Sequence, residues 1–266
     1  MDLVKRTQKP ERRITGRRSR AVVPAPRGGG DGVTATDVRL RDGLAARSLY
    51  RDANIIILNK PAGLAVHGGP RTPVHLEAWL EDLRFDGRCA PRLAHRLDRD
   101  TAGCLVLARH DKALSRLGRL FGAGAVQKTY WAVVAGTPSE EEGEISLPLR
   151  KITGPAGWKM VGDAAGQPAR TLWRRLGGNG RLSWLELHPQ SGRTHQIRVH
   201  CATGLDCPIL GDPVYGGGVQ EPLHLLSRRI VVPYWVDRPP VEATAPPPPH
   251  MTAALTACGW NASFED

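Results

Sequence analysis

The segment from His95 to Ala108, which reads HRLDRDTAGCLVLA, decides how the rest of this chain is interpreted. One carboxylate, Asp98, lies between Arg96 and Arg99 and shortly before a Thr-Ala-Gly turn. The small and apolar residues at positions 104–108 predict a buried strand. A carboxylate attached to such a strand is held rigidly, and adjacent cations favour its ionised form. A group of this kind can act as a nucleophile, a general base or a metal ligand.

Positive charge is concentrated at the amino-terminal end of the chain. The 266 residues carry a formal net charge of +11, and 41% of them are hydrophobic, enough for one large domain or two small ones. Residues 1–30 contain nine Lys or Arg and two acidic residues, so this stretch holds +7 and the other 236 residues hold +4. Such an arm attracts phosphate backbones. A solvated, disordered leader is the plainer alternative.

The cysteines and the apolar runs indicate the compartment. The five cysteines form no C-x-x-C pair and are odd in number, which predicts reduced thiols in a cytoplasmic protein. No apolar run is long enough to span a membrane. The charged amino-terminal region lacks the apolar segment of a secretory signal, and an organelle transit peptide is the alternative interpretation.

The periodicity of apolar residues predicts more strands than helices. Strands are predicted at residues 55–58, 104–108, 128–135, 170–176, 182–187 and 228–233. Helices are predicted at residues 74–83, at 111–122 with Asp111 as the cap, and at 194–203 with Thr194 as the cap, where a strand is the alternative. We therefore predict an α+β fold with a mixed, mainly antiparallel central sheet and flanking helices and loops.

The chain is predicted to divide into three parts. Residues 1–46 form a basic, disordered arm, because they hold few large apolar residues and include a Pro- and Gly-rich linker. Residues 47–238 form one folded domain. Residues 239–266 form a proline-rich tail that ends in a short helix, and its prolines at 239–249 predict no regular structure there.

Several enzyme classes do not fit the motifs. The HRLD sequence is unlike the kinase catalytic loop, where Asp follows Arg directly, and the chain has no glycine-rich phosphate loop. His195 and His200 are five residues apart without an H-E-x-x-H pattern, which disfavours a zinc site. Asp98 and Asp100 are too close in sequence to face each other as a glycosidase pair.

Further motifs follow HRLDRDTAG in a fixed order. They are KTYWA at residues 128–132, GRTHQIRVH at 192–200, GDPVYG at 211–216 and LHLL at 223–226, with NKPAGLAVH at 59–67 before them. Together these motifs resemble the RluA-type pseudouridine synthase family of the RsuA/RluA superfamily. The resemblance covers about residues 49–232 and implies the pseudouridine synthase fold. Ala102 stands where the family usually has Ser, and residues 1–46 are too polar to form the S4-type domain that many relatives carry.

The resemblance implies an isomerase that converts specific uridines of rRNA or tRNA to pseudouridine, without a metal or another cofactor. The uracil leaves ribose C1′ and is rejoined through C5. Asp98 would be the nucleophile, attacking either C1′ or the uracil C6. Arg198, with Arg193 as the alternative, would pair with Asp98. Tyr130 would stack on the uracil and place its hydroxyl for removal of the C5 proton.

The resemblance also implies a set of RNA-binding side chains. Because a base inside a duplex cannot reach a pocket, the target must be flipped, and the guanidinium of Arg96 would fill the vacated stack. Leu225 would form an apolar wall, with Leu223 as the alternative. The predicted substrate-binding residues are Arg96, Arg193, His95, Leu225, Lys60 and Gln196. His95, together with His195 and His200, is expected to make structural hydrogen bonds.

Two rival functions use the same residues differently. An RNA-binding protein on the same fold would have lost activity, and an N-glycosidase would release the base instead of rejoining it. Singly, an aspartate between arginines is more often a surface ion pair of little energetic value. The order of the motifs favours the synthase, which we expect to act as a monomer on RNA and not at a membrane.

Overall fold

The structure is a computed structural model that describes residues 41–69, 72–155, 157–216 and 221–261. The predicted basic arm therefore lies, up to residue 40, outside the described residues. Twelve strands are present in the described segments: β1 (Ser48–Arg51), β2 (Ile55–Lys60), β3 (Arg92–Leu93), β4 (Ala102–Ala108), β5 (Gln127–Ala135), β6 (Glu142–Ser146), β7 (Leu149–Gly154), β8 (Gly157–Gly162), β9 (Arg170–Gly178), β10 (Leu182–Pro189), β11 (Leu225–Val232) and β12 (Val241–Thr244).

Ten of these strands form one sheet, and β7 pairs with β8 in a separate hairpin. The main sheet has the order β1-β2-β4-β11-β5-β10-β9-β6, with β3 paired to β4 and β12 paired to β11. The β4–β11 pair is parallel, and the other pairs are antiparallel. This confirms the predicted mixed, mainly antiparallel sheet. The helices are α1 (Asp111–Gly122), α2 (Gln196–Val199) and α3 (Pro249–Ala257), with 3-10 turns at Ala45–Arg47 and Leu76–Leu83.

Side chains alternate across the strands and divide the core into two layers. Tyr130 of β5 and Leu225 of β11 lie in one layer, whereas their neighbours Trp131 and Leu226 lie in the other. The first layer is covered by the Leu76–Leu83 turn and α2, and the second by α1 and α3. The pleat of the strands thus places Tyr130 and Leu225 on the same face.

The predicted hairpin at β9 and β10 is confirmed. The side-chain oxygen of Asn179 accepts hydrogen bonds from the N–H groups of Arg181 at 3.0 Å and Leu182 at 2.9 Å. Gly180 has a φ of +84°, which glycine adopts without strain. The turn residues therefore close the hairpin in the way that their types predict.

Three predicted helix details are wrong. The helix expected at residues 74–83 is a 3-10 helix over Leu76–Leu83. His110, not Asp111, caps α1, since its Nδ1 accepts the N–H of Ala113 at 3.1 Å. Thr194 does not cap α2. His195 precedes that helix with a left-handed φ of +54°, and the chain widens into a π-turn at His200–Gly204. The ends of these helices depend on local side-chain hydrogen bonds and on backbone strain, which the spacing of apolar residues does not reveal.

The prediction that residues 239–249 lack regular structure is also wrong. Strand β12 lies inside this range and pairs with β11, with Val241 opposite Val232 and Thr244 opposite Arg229. The prolines flank the strand instead of interrupting it, so its ladder hydrogen bonds remain available. At the other end, Leu44 is fully buried in the core, so the packed fold includes part of the predicted arm. Within the described segments, no helix combines the length and apolar character needed to cross a membrane.

Candidate active site

A cleft of about 610 Å³ opens on the face of the sheet that carries Tyr130 and Leu225. Three predicted segments meet there, at residues 95–98, 128–130 and 191–198. The charged groups that line it are four Lys or Arg side chains and one carboxylate, that of Asp98. A concave basic surface concentrates polyanions, and the Asp98 carboxylate lies within this positive potential.

Asp98 lies in the turn between β3 and β4. Its backbone carbonyl accepts the N–H of Thr101 at 3.2 Å, which closes the turn. Its side chain is 21% exposed, and Oδ2 is 3.8 Å from Nη1 of Arg198 and 3.9 Å from Nε2 of His195. Both separations exceed hydrogen-bond length. The carboxylate is therefore next to positive charge, but Oδ2 is not hydrogen-bonded to either of these two side chains.

Gly103 brings this turn against the neighbouring strand. Its φ is +103°, and a Cβ at this position would lie 2.3 Å from the carbonyl oxygen of Ser227. Ser227 pairs with Gly103 on one side and with Tyr130 on the other. Because glycine alone tolerates both the φ and the close approach, the glycine of the HRLDRDTAG motif fixes the Asp98 turn relative to Tyr130.

Arg198 is held by an acid other than Asp98. Its Nε and Nη2 donate to Oδ2 and Oδ1 of Asp212, each at 2.7 Å, and both side chains are buried. Asp212 also accepts the N–H groups of Val214 at 2.9 Å and Tyr215 at 3.0 Å. Burial raises the pKa of Asp212, but these hydrogen bonds outweigh burial and leave that pKa below its ordinary value. The predicted Asp98–Arg198 pairing is a looser contact within this network.

Tyr130 lies beside Asp98 with its ring in the core. The residue is 9% exposed and lines the cleft. Burial raises the pKa of Tyr130 to about 12, an effect that the side-chain hydrogen bond with Ser227 opposes and the charge of Asp98 reinforces. The phenol is therefore neutral at physiological pH, and it offers a flat face and a hydroxyl proton to a ligand.

His195 links the cleft to the GDPVYG motif. Its Nδ1 hydrogen-bonds the Tyr215 hydroxyl at 2.9 Å, and that hydroxyl also accepts the N–H of Met160 at 3.0 Å. Burial lowers the pKa of His195, although the charge of Asp98 opposes the shift. His195 thus makes the expected structural hydrogen bond, and it also faces the carboxylate.

The structure corrects the predicted substrate-binding role of Lys60. The side chain is fully buried, and Nζ donates to the carbonyl oxygens of Pro61 at 2.9 Å, Leu64 at 2.8 Å and Arg99 at 2.8 Å. Burial lowers the pKa of Lys60 to about 7, opposed by the charges of Asp100 and Asp98. All three ammonium protons are used by carbonyls, so Lys60 supports the Asp98 turn from behind.

Gln196 has no hydrogen-bonding capacity left for a substrate. Its oxygen accepts from Ser191 Oγ at 2.7 Å and from the N–H of Arg193 at 3.1 Å. Its nitrogen donates to the Arg170 carbonyl at 2.9 Å and to Thr171 Oγ1 at 3.0 Å. The predicted binding role of Gln196 is therefore replaced by a positioning role for the loop before α2.

The other predicted residues line the cleft. Arg96 and Arg193 are exposed, and Arg193 donates to the Pro168 carbonyl at 3.2 Å instead of approaching Asp98. Leu225 forms part of the wall near Tyr130.

Two further histidines make structural hydrogen bonds. His95 accepts the N–H of Val106 at 2.9 Å, and burial lowers its pKa to about 3, so it is a neutral structural imidazole. His200 is fully buried between Thr171 and the Leu147 carbonyl.

Comparison with known proteins decides the family. The model of the RNA pseudouridylate synthase family matches residues 54–203. The chain belongs to the RNA pseudouridine synthase family. It is 44% identical over 215 residues to an uncharacterised RNA pseudouridine synthase of Zymomonas mobilis, covering 79% of this chain and 97% of that protein.

Other members of the RNA pseudouridine synthase family agree with this placement. The mitochondrial pseudouridylate synthase RPUSD4 of Xenopus tropicalis is 37% identical over 204 residues, which cover 68% of this chain and 63% of that protein. The solved structure of human RNA pseudouridylate synthase domain containing 4 superposes with a TM-score of 0.71 at 26% identity, covering 84% of this chain and 96% of that one. The protein is accordingly an isomerase that acts on uridine in RNA, as the motifs predict.

The sequence of this pseudouridine synthase did not predict the contacts that three residues make at the cleft. Asp212 and Tyr215 were recognised only as letters of the GDPVYG motif, and His195 was expected to be purely structural. A signal for Asp212 was present, because an acid in a motif of small and apolar residues needs a buried partner. In the segments that the structure describes, no cluster of three or more His, Cys, Asp or Glu could hold a metal ion.

Proposed function

We propose that this protein isomerises specific uridines of ribosomal or transfer RNA, with Asp98 as the nucleophile. The observation that carries the proposal is the position of the Asp98 carboxylate. It lies in a cleft lined by basic side chains, 3.8 Å from the Arg198 guanidinium, and Tyr130 and Leu225 line the same cleft.

The reaction conserves atoms and electrons. Attack by Asp98 at ribose C1′ or at uracil C6 accompanies cleavage of the bond between N1 and C1′. The detached uracil turns, and C5 bonds to C1′ while the bond to Asp98 breaks, which regenerates the carboxylate. The proton lost from C5 is balanced by a proton gained at N1. The chemistry requires an ionised carboxylate, retention of the detached uracil in the site while it turns, and exclusion of water.

Tyr130 and Leu225 suit the holding step. A flat phenol ring and an apolar side chain on one face of the sheet can contact both the ring face and the edge of a uracil. Since the phenol stays protonated near neutral pH, we assign to Tyr130 stacking and hydrogen bonding during transfer of the C5 proton. A stable phenolate base is not part of the proposal.

The depth of the carboxylate supports base flipping. Asp98 is 21% exposed and sits inside a cleft, so a uridine must leave its helix to reach it. Arg96 is exposed and lines the same cleft two residues before Asp98. Its planar guanidinium can stack on the bases that the flipped nucleotide leaves behind.

Analysis of the nucleosides after reaction tests the proposal. Purified protein is incubated with uridine-containing rRNA and tRNA transcripts, which are then digested and separated by chromatography. Pseudouridine is the expected product. Free uracil would identify an N-glycosidase, and unchanged uridine in both transcripts would contradict the proposed substrates. Comparing pseudouridine maps of cells with and without the gene identifies the position.

We further propose that the enzyme works as a monomer in the cytoplasm. All five cysteines are free, and four of them are buried, as expected for a protein kept in reducing conditions. The Xenopus relative is described as mitochondrial. Cell fractionation distinguishes the two compartments, and size-exclusion chromatography with light scattering measures the mass in solution.

A further inference from the structure

The hairpin of β7 and β8 exposes a tryptophan beside the cleft. Trp158 of β8 is 45% exposed, which is unusual for the largest apolar side chain. The hairpin pairs Thr153 with Trp158 and Lys151 with Met160, and it lies outside the main sheet. No step of the proposed reaction uses this side chain, and burial in the core does not account for it.

Trp158 is connected to the reacting carboxylate through one residue. Its ring stacks on the imidazole of His195, with 5.2 Å between centroids and 29° between planes. His195 Nε2 in turn lies 3.9 Å from Asp98 Oδ2. The hairpin is anchored there because the N–H of Met160 donates to the Tyr215 hydroxyl at 3.0 Å. Trp158 therefore has a defined position at the border of the active site.

An ammonium group lies beside the Trp158 ring. Lys151 Nζ lies 4.6 Å from the centroid of the Trp158 ring, and the Lys151 side chain is exposed. Lys151 lies on the same hairpin face as Trp158, whereas Arg150 and Lys159 alternate onto the opposite face, where Arg150 pairs with Asp163. An exposed aromatic ring with an adjacent ammonium matches a nucleotide, which offers a base to stack and a phosphate to neutralise.

We propose that Trp158 is a stacking platform for an unpaired base next to the target uridine, and that Lys151 contacts the phosphate of the same stretch of RNA. The proposal rests on the proposed function, because flipping a uridine deprives its neighbours of a stacking partner. The indole replaces that partner without regard to base identity, since every base has a π face. Trp158 would then position the RNA, leaving the chemistry to Asp98.

The test measures RNA affinity separately from turnover. Dissociation constants are determined for a single-stranded oligouridine of roughly ten nucleotides and for a tRNA transcript. Trp158→Ala is expected to weaken binding about 5- to 150-fold, the range for loss of one stacked base. Trp158→Phe keeps an aromatic face and should retain most of the affinity. The matched control is Trp235→Ala, because Trp235 lines a separate cleft with Tyr50 and Arg238.

The salt dependence separates stacking from charge. Trp158→Ala should leave the slope of log affinity against log salt unchanged, whereas Lys151→Gln should reduce its magnitude by about 0.7, as expected for one phosphate contact on a single strand. In the wild-type protein, photoactivated 4-thiouridine RNA should crosslink to the peptide that contains Trp158. This measurement remains informative if the alanine variant does not fold.

Three results would overturn the inference. They are unchanged affinity in a folded Trp158→Ala protein, crosslinks confined to other peptides, and a fall in kcat with unaltered affinity. The last result would mean that Trp158 only supports His195. Failure of the proposed function looks different, because the wild-type protein would then produce no pseudouridine while its RNA affinity could still be measured.

Discussion

Arg198 and Asp212 form a buried ion pair with two hydrogen bonds of 2.7 Å next to the Asp98 carboxylate. The pair fixes the guanidinium plane before substrate arrives, so its remaining nitrogen, Nη1, stays 3.8 Å from Asp98. A preorganised cation stabilises charge that develops during reaction without a cost of reorganisation. The arrangement gives the GDPVYG motif a physical purpose in the active site.

Replacing Asp212 by Asn should damage both stability and turnover. Breaking a buried pair from one side leaves Arg198 uncompensated, and we expect a loss of about 3 kcal/mol or more in the free energy of unfolding. We also expect kcat to fall by about tenfold or more, because the guanidinium loses its fixed orientation. Urea unfolding and single-turnover assays measure the two effects, and wild-type values for both would refute this role.

The Arg198–Asp212 pair also predicts that the free energy of unfolding depends on pH. The pKa of Asp212 is lower in the folded protein than its ordinary value, so the carboxylate contributes stability above that ordinary value. This contribution should disappear as the pH falls from the ordinary value through the lower folded value. As the pH is lowered from 6, the free energy of unfolding should therefore decline less steeply for Asp212→Asn than for the wild-type protein. An equal decline for the two proteins would contradict this role of Asp212.

Asp98→Asn should abolish turnover and preserve RNA binding. The amide has nearly the same shape, but it is a poor nucleophile. Asp100→Asn is the matched control, because Asp100 is a nearby carboxylate that pairs with the exposed Arg99. Pseudouridine formation and filter binding are measured for both variants, and turnover by a clean Asp98→Asn preparation would remove the basis of the mechanism.

Tyr130→Phe should keep substrate affinity and lower kcat. The ring face remains for stacking, while the hydroxyl near the reacting base is lost. The folded pKa of about 12 lies above the ordinary value of 10.0, so the phenol's stabilising contribution holds below pH 10 and declines as the pH rises towards 12. The variant should lack this part of the alkaline destabilisation, up to ~2.7 kcal/mol for two pKa units. A lower affinity with unchanged kcat would reverse the assignment.

Lys60→Met should loosen the Asp98 turn. Three carbonyl oxygens would lose their donor, each at a cost of about 1 kcal/mol or more. Hydrogen exchange should speed up at residues 61–64 and 98–101, with lower activity and a lower melting temperature. Lys112→Met is the control for loss of a lysine, since Lys112 is exposed on α1 and does not line the cleft. Equal exchange rates in Lys60→Met and wild type would exclude the supporting role.

Removing residues 1–30 should weaken RNA binding and flatten its salt dependence. This stretch carries +7 of the net charge, and each phosphate contact that it makes releases counterions. Titrations at several salt concentrations compare the truncated and full-length proteins. An unchanged slope would mean that the arm does not contact RNA.

The local pattern of the chain predicted six of the twelve strands in the described segments, and β1, β3, β6, β7, β8 and β12 were not predicted. Strands β2, β4 and β5 and helix α1 were expected from apolar spacing, and the β9–β10 hairpin from its turn residues. Strand β12 was not predicted, because the prolines on both sides of it disfavour regular structure. Its formation depends on the free edge of β11, which is brought to it by residues far away in sequence.

The sequence likewise predicted only part of the candidate active site. The ordered motifs by themselves determined the family and singled out Asp98, Tyr130 and Arg198, because the chemistry requires those residue types on rigid elements. Only the tertiary structure shows that Asp212 is the partner of Arg198 and that Trp158 stacks on His195. It also shows that Lys60 and Gln196, which were predicted to bind RNA, make internal hydrogen bonds instead. The physical reason is that the partner of a buried polar group depends on which distant segments share its space, and sequence distance does not specify that.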